Sequence, residues 1–469
     1  MSRTDGAFAP EAIESLSARL RGPVLLPGSE AYEDGRSIYN AMIDKRPGAI
    51  VRCRDVADVV ACVDFARERG VELAVYGGGH NGAGLALCDD GLVADLGPMN
   101  GVHVDTRSRA VRVGGGCTWG DVDHATHPFG LAVPSGIIST TGVGGLTLGG
   151  GHGYLTRRYG LTVDNLLAAE VVLADGRIVT ASEDEHPDLF WALRGGGGNF
   201  GIVTSFLFRG RPVHTVYGGP IVWPITEARE ALRWYRDFIR EAPRELYGWF
   251  GFHRVPTGSP FPEELHGHHG CVVTWCYTGP LERAEEVFRP IRERSEPVLD
   301  MIGPMPYPKL QSMFDEIYYP PGLQWYWKAD FVGDIGEDAL DVHERFGTDL
   351  PTERSTMHLY PIDGAVHDVS PEDTAFRYRD VTWSRVIVGV DPEPDEAERI
   401  TRWAQDYWRA LHPYSAGGGY VNFMMEEGQD RVAAAYRENY ERLVEVKTKY
   451  DPDNLFHVNQ NIRPRAGAR

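Results

Sequence analysis

The sequence predicts an α+β protein, and three changes of texture along its 469 residues carry that expectation. Residues 50–206 alternate short Val- and Ile-rich runs with clusters of glycine. Residues 208–412 alternate longer strand candidates with amphipathic helices, and after 413 a glycine run leads into a long helix and an Asn-containing ending. A chain of this length exceeds one ordinary core, so two or three domains are expected, dividing at about 207/208 and 412/413.

In the first part AIVRC, VELAVY, GLVADL, AVRVGGG, VVLADGRIV and GIVTSFLF each read as a strand, β-branched and bounded by turn residues. DVADVVACVDFARERG (55–70) sets Val56, Val59, Val60 and Val63 at helical spacing, with Asp55 as N-cap and Gly70 as stop. PDLFWALRG (187–195) reads as a shorter helix. In the second part HTVYGGPIVWP, GCVVTWCYTG, QWYWKADF, STMHLYPI and SRVIVGV are strand candidates, and ITEAREALRWYRDFIREA is an amphipathic helix. Such alternation predicts a sheet with helices on one face and the other face open. RVAAAYRENYERLVEVKTKY reads as one helix and RAGAR, past Pro464, as a frayed end. Without an internal repeat or low-complexity linker, the domains are expected to pack together.

Composition narrows the function. Hydrophobic residues at 42% and charged residues at 24% fit a globular protein. With 47 Lys and Arg against 67 Asp and Glu, the formal charge is −20. That field repels phosphate backbones and anionic lipid, so neither nucleic acid nor a membrane surface is an expected partner; it also serves solubility. The start MSRTDGAFAPEAIESL lacks a basic segment followed by an apolar run, and no stretch has the apolar length of a membrane span. The six cysteines show no metal-ligand spacing, and Cys271 and Cys276 fall on opposite faces of one strand. Reduced thiols and a cytoplasmic location are the expectation. His266, His268 and His269 sit in a Gly-rich stretch without carboxylate or cysteine support, so no metal site is expected.

Four glycine clusters stand out: Gly77 to Gly79 before His80, Gly114 to Gly116, Gly142 to Gly153, and Gly195 to Gly198. Two of them satisfy the G-x-G-x-x-G spacing, at Gly77-Gly79-Gly82 and Gly196-Gly198-Gly201. That spacing signifies a Rossmann site only where a strand runs into a helix, and here both lead into strands. One cluster alone is as well explained by a tight turn. Several, each beside a strand, point to a backbone-lined groove for an anionic cofactor, which needs no basic side chains. His80 lies in the turn itself, and a neutral imidazole is a competent nucleophile toward an electrophilic carbon.

With these motifs the chain resembles the FAD-linked oxidases of the vanillyl-alcohol-oxidase superfamily, in the berberine-bridge-enzyme-like branch. The resemblance runs through PGAIVRCRDVADVVACVDFARERGVELAVYGGGHNGAG, LAVPSGIISTTGVGGLTLGGGHGYLTRRYGLTVDNL, FWALRGGGGNFGIVTSFLF and, at the end, YVNF with NYERLVEVKTKYDPDNLFHVNQNIRP. It implies a PCMH-type two-subdomain FAD-binding domain from 1–207 and 413–469, and an inserted antiparallel-sheet substrate domain, backed by helices, from 208–412. It implies FAD bonded covalently to His80, with Gly77, Gly78, Gly79 and Asn81 wrapping the pyrophosphate. Pro134, Ser135, Gly136, Thr140, Thr141, Gly142, Gly145, Gly149, Gly150, Gly151, His152 and Gly153 would line its second side. Gly201, Ile202 and Val203 would close over the adenine half, with Asn422 and Asn459 near the isoalloxazine edge. Many members bond the flavin a second time through a cysteine, where this chain has Ile138, so a single link is expected, as in the hydroxynicotine-oxidase type. Thr141 stands where relatives gate oxygen access, and its size is compatible with oxygen entry.

The implied reaction is hydride transfer from a small alcohol, amine or phenolic metabolite to the flavin, with oxygen reduced to hydrogen peroxide. A dehydrogenase or oxidative cyclase with poor oxygen reactivity, or a flavin carrier without chemistry, remains open. Tyr420, in the Y-x-N motif, is the first candidate base, and would need its phenol pKa lowered. Tyr378, where relatives often have a histidine, is the second. SRVIVGV has no carboxylate to match the glutamate that some relatives carry. QWYWKADF offers Trp325, Trp327 and Lys328 and STMHLYPI offers His358 and Tyr360, a same-face pair, as an aromatic substrate wall; ordinary sheet packing is the simpler explanation of them.

Overall fold

The Val- and Ile-rich runs of the first part pair into two sheets in a computed structural model that describes residues 6–257, 261–316 and 320–467. The first five residues of the chain's start and the last two of the RAGAR ending lie outside the described residues. In one sheet Val24–Leu25, Ala49–Arg52, Leu92–Asp95 and Leu73–Tyr76 lie side by side in that order, the last three paired in parallel. Parallel neighbours need a crossover, and the helix Val56–Arg69 supplies it. The Asp55 carboxylate accepts from the N–H groups of Ala57 and Asp58 at 3.0 and 3.2 Å, and Gly70 ends the helix. This is the capping read from the sequence.

The other sheet is antiparallel, in the order Val102–Asp105, Ala110–Gly114, Ile202–Arg209, Leu166–Val172 and Ile178–Ser182. Here VVLADGRIV, expected as one strand, is a hairpin. Asp175-Gly176 turns the chain, with Gly176 at φ +83°, a dipeptide suited to reversal. Both G-x-G-x-x-G turns do run into strands, Leu92–Asp95 and Ile202–Arg209.

The third sheet runs Leu299–Asp300, Thr215–Pro224, His269–Tyr277, Leu246–Arg254, Thr356–Pro361, Trp383–Asp391 and Gln324–Val332, antiparallel throughout. All the expected strands are present. Leu246–Arg254 was not expected, because LYGWFGFHR is buried on both faces and so shows no alternation. Helices Ala228–Glu241, Glu337–Gly347 and Ala397–Leu411 cover one face, over Trp223, Phe250, Trp275, Trp383 and Ile387. The face expected to be open instead packs on the first part through Trp249, Trp325, Tyr360 and Val388. Cys271 belongs to the helix-covered core and Cys276 to this second face, and all six cysteines are free and buried.

The helix expected near the end is two, Gln429–Tyr436 and Tyr440–Tyr450, broken where Arg437 takes φ +47°. Val432, Tyr436, Leu443 and Val446 pack with Val111, Val171 and Phe206, seating this segment on the five-stranded sheet. Among the described residues no helix is long and apolar enough to cross a membrane.

Candidate active site

A cavity of about 330 Å³ opens where the glycine turns, the inner face of the large sheet and the C-terminal segment meet. One end is walled by backbone. Gly77 to Asn81, then Gly142, Gly144 and Gly145, then Gly197, Gly198, Asn199 and Gly201 contribute to it. The first two turns touch main chain to main chain: a Cβ on Gly78 would lie 2.6 Å from both Cα and N of Gly142. Among the described residues the N–H groups of Gly78, Gly79, His80 and Asn81 donate to no protein acceptor. Donors that converge from glycine turns form a nest for an anion, so this wall fits the pyrophosphate of a dinucleotide cofactor without basic side chains.

His80 stands at the junction of this wall and the aromatic one. Its Nε2 lies 3.0 Å from Thr140 Oγ1. Its ring stacks on Tyr39 at 4.3 Å and 17°, and Tyr39 in turn stacks on Trp325 at 4.8 Å. Burial holds the His80 pKa down to about 4, so the imidazole is neutral at pH 7. Next to Tyr39, the fully buried Asn40 ties the turn to the large sheet. Its Nδ2 donates to Gly82 O at 2.7 Å and Trp325 O at 3.0 Å, and its Oδ1 accepts from Trp325 N at 3.1 Å.

The other end is aromatic and carries a few aimed polar groups. Trp325, Trp327, His358, Tyr360, Val386 and Val388 line it from the sheet, and Tyr420, Asn422 and Phe423 from the C-terminal segment. The Tyr420 hydroxyl accepts from Gly151 N at 3.0 Å and Asn422 Nδ2 at 2.8 Å. Burial pushes its pKa up, with these two donors opposing. His358 Nδ1 lies 2.5 Å from the Tyr360 hydroxyl and its Nε2 lies 2.8 Å from His253 Nε2. Thr356 Oγ1 donates to Phe252 O at 2.8 Å and lies 3.1 Å from His253 Nε2, so His253 Nε2–H donates there and toward His358 Nε2, leaving His358 Nδ1–H to donate to the Tyr360 oxygen. Burial lowers the pKa of both histidines, His253 to about 3. His152 is buried with neither ring nitrogen hydrogen-bonded among the described residues, its ring 4.6 Å from Tyr420 and 5.2 Å from Tyr360, and its pKa is down to about 3.

Several residues expected at the cavity are elsewhere. Tyr378 stacks on Phe331 at 4.2 Å, lies under Arg437 and donates to Ala434 O at 2.8 Å, within the core that backs Tyr420 and off the cavity lining. Pro134 and Ser135 are buried beneath the wall, where Ser135 Oγ accepts from Gln311 Nε2 at 2.7 Å, and Thr140 is exposed and off the cavity lining. Gly149, Gly150, Gly151 and Gly153 back the inner wall: a Cβ on Gly149 would strike Asn422, one on Gly150 Phe376, and one on Gly153 the carbonyls of Ser135 and Gly136. Within that run only His152 lines the cavity, at the aromatic end and away from the glycine nest. Gly136, Thr141, Gly142, Gly145, Gly201, Ile202, Val203 and Asn459 line it as expected, Asn459 donating to Gly198 O at 3.2 Å. His358 and Tyr360 do share a face, whereas Lys328 points to the other side and pairs with Glu427 at 2.6 Å. Among the described residues no cluster of three His, Cys, Asp or Glu could hold a metal. Sequence reasoning missed Tyr39, Asn40 and His253; only the NG-rich turn facing Asn40 carried a signal, and it did not name its partner.

Two family models match this chain, one described as FAD binding domain over residues 47–182, the other as Berberine and berberine like over residues 419–463. An FAD-linked oxidoreductase of Dictyostelium discoideum is 32% identical over 465 residues, covering 97% of this chain and 98% of its own. The (R)-6-hydroxynicotine oxidase of Paenarthrobacter nicotinovorans is 30% identical over 461 residues, covering 95% of this chain and 97% of its own. The solved structure of 6-hydroxy-D-nicotine oxidase from Arthrobacter nicotinovorans superposes with a TM-score of 0.85 at 28% identity, over 95% of this chain and 98% of that one.

Proposed function

The chain belongs to the FAD-linked oxidoreductases, in the berberine-bridge-enzyme-like branch with a PCMH-type FAD-binding domain, and from this we propose that it is an oxidase of a small alcohol, amine or phenolic metabolite, holding FAD by one covalent bond to His80. The observation that carries the reading is one cavity joining the glycine nest and His80 to the face of Trp325, Trp327, His358 and Tyr360. In this reading the turns at 77–81 and 142–145 hold the pyrophosphate, Gly201, Ile202 and Val203 the adenine half, and Asn422 and Asn459 the polar edge of the flavin. Ile138 lines the cavity and has no thiol, which supports a single link. Bound there, the flavin would supply a hydride acceptor, with molecular oxygen as the final oxidant and hydrogen peroxide as its product. The six buried free thiols fit a reducing, cytoplasmic compartment.

The protein's own residues handle the substrate's O–H or N–H proton. Because the Tyr420 oxygen accepts two hydrogen bonds and burial keeps its phenol neutral, Tyr420 is suited to donate to the substrate. The Tyr360 hydroxyl, held 2.5 Å from His358 Nδ1 on the cavity wall, is placed to hydrogen-bond the substrate's O–H or N–H. Acid denaturation followed by intact mass spectrometry of wild type and His80→Ala tests the attachment. Wild type heavier by one FAD, with the variant unmodified, is expected; wild type that releases all its flavin refutes the link. Anaerobic mixing with alcohols, amines and phenols, then readmission of air, tests the oxidase. A reduced flavin that stays reduced in air would identify a dehydrogenase.

A further inference from the structure

We propose that Thr140 is the positioning residue that prepares His80 for its covalent bond, holding the imidazole in the tautomer whose Nδ1 carries the free electron pair. This rests on the reading of His80 as the attachment site. Thr140 Oγ1 lies 3.0 Å from His80 Nε2, and two proton arrangements fit that contact. If Thr140 donates to Nε2, the single proton of the neutral ring sits on Nδ1, and the Nε2 pair is held toward the hydroxyl. If Nε2–H donates to Thr140, the Nδ1 pair is free. Burial supports the argument by keeping the ring neutral, its pKa down to about 4.

Tyr39 holds the remaining degrees of freedom. Its ring lies parallel to the imidazole at 4.3 Å and 17°, and it is itself held by the stack on Trp325 and by its N–H, which donates to Gly79 O at 3.0 Å. A ring flip of His80 would forfeit the Thr140 bond, and a swing out of plane would forfeit the stack. Thr140 is also exposed, which gives the departing proton a way out. In the step, a C–N bond forms between His80 Nδ1 and the flavin's 8α carbon while one C–H bond of that methyl breaks. The Nε2 proton leaves through Thr140 to solvent. The electron pair of the broken C–H bond passes into the flavin and on to molecular oxygen, which, with the two protons, becomes hydrogen peroxide.

The test compares wild type, Thr140→Val and Thr140→Ser as purified holoproteins, by total bound FAD and by intact mass after acid denaturation. Incubation with added FAD in air then follows attachment over time. All three are expected to bind FAD; wild type and Thr140→Ser become fully linked, whereas Thr140→Val links at least tenfold more slowly. An exposed, near-isosteric change leaves little reason for misfolding. Thr140→Val linked at the wild-type rate overturns the proposal, and so does Thr140→Val that binds no FAD, since Thr140 would then serve binding. Wild type carrying only releasable FAD instead defeats the earlier reading of His80.

Discussion

Replacing Gly78 by alanine tests the claim that two glycine turns must meet main chain to main chain to shape the cofactor wall. The added Cβ would lie 2.6 Å from both Cα and N of Gly142. Ordinary carbon contacts are about 3.5–4.0 Å, so one turn must retreat by roughly 1 Å. Neither yields easily. Trp119 N donates to Thr141 O at 3.0 Å and Val143 N to Cys117 O at 2.8 Å on either side of Gly142. Overpacking of this kind costs about 1–3 kcal/mol. If the strain is relieved by opening the wall, FAD affinity falls by roughly 5- to 150-fold, since about 1.4 kcal/mol is tenfold. The assay is fluorescence titration of FAD in a His80→Ala background, where binding is reversible, with Gly101→Ala as control because a Cβ there meets nothing within 4 Å. Gly78→Ala binding FAD as tightly as the Gly101→Ala control, with unchanged thermal stability, would refute the reasoning.

Lys447 is fully buried and donates to Asp451 at 2.6 Å, Asn199 O at 2.8 Å and Phe456 O at 2.9 Å. Lys447→Met strands the Asp451 carboxylate and should cost about 3–5 kcal/mol in denaturant unfolding, with lower FAD content because Asn199 and Phe456 line the cavity. His152 and His253 are buried with pKa values near 3, so the unfolded chain takes up protons that the folded one refuses. Their contribution is complete above about pH 6.5 and shrinks by roughly 1.4 kcal/mol per pH unit per group below it. The melting temperature should therefore fall between pH 7 and pH 5, less steeply in His152→Phe; equal slopes would contradict this. His253→Leu leaves the buried His358 Nε2 without its partner at 2.8 Å and should cost about 1–3 kcal/mol in denaturant unfolding. A variant that unfolds at the wild-type denaturant concentration would contradict this.

Local features of this molecule were legible in its sequence because they depend on neighbours along the chain. The Asp55 and Gly70 caps, the strands beside the glycine turns, and the shared face of His358 and Tyr360 follow from spacing and propensity alone. So does the place of His80 in a turn of convergent N–H groups. What the sequence could not decide is which distant pieces meet. Asn40 reaches Trp325 across 285 positions, and Tyr39 stacks between that tryptophan and His80. His253 joins His358 only because a strand buried on both faces, and so without alternation, pairs beside Thr356–Pro361. Tyr378 and Tyr420 are both tyrosines of conspicuous motifs and share one core, yet only Tyr420 also lines the cavity. Residue type and period set what each segment can form; the summed burial of all three sheets sets which segments touch, and that sum has no local signature.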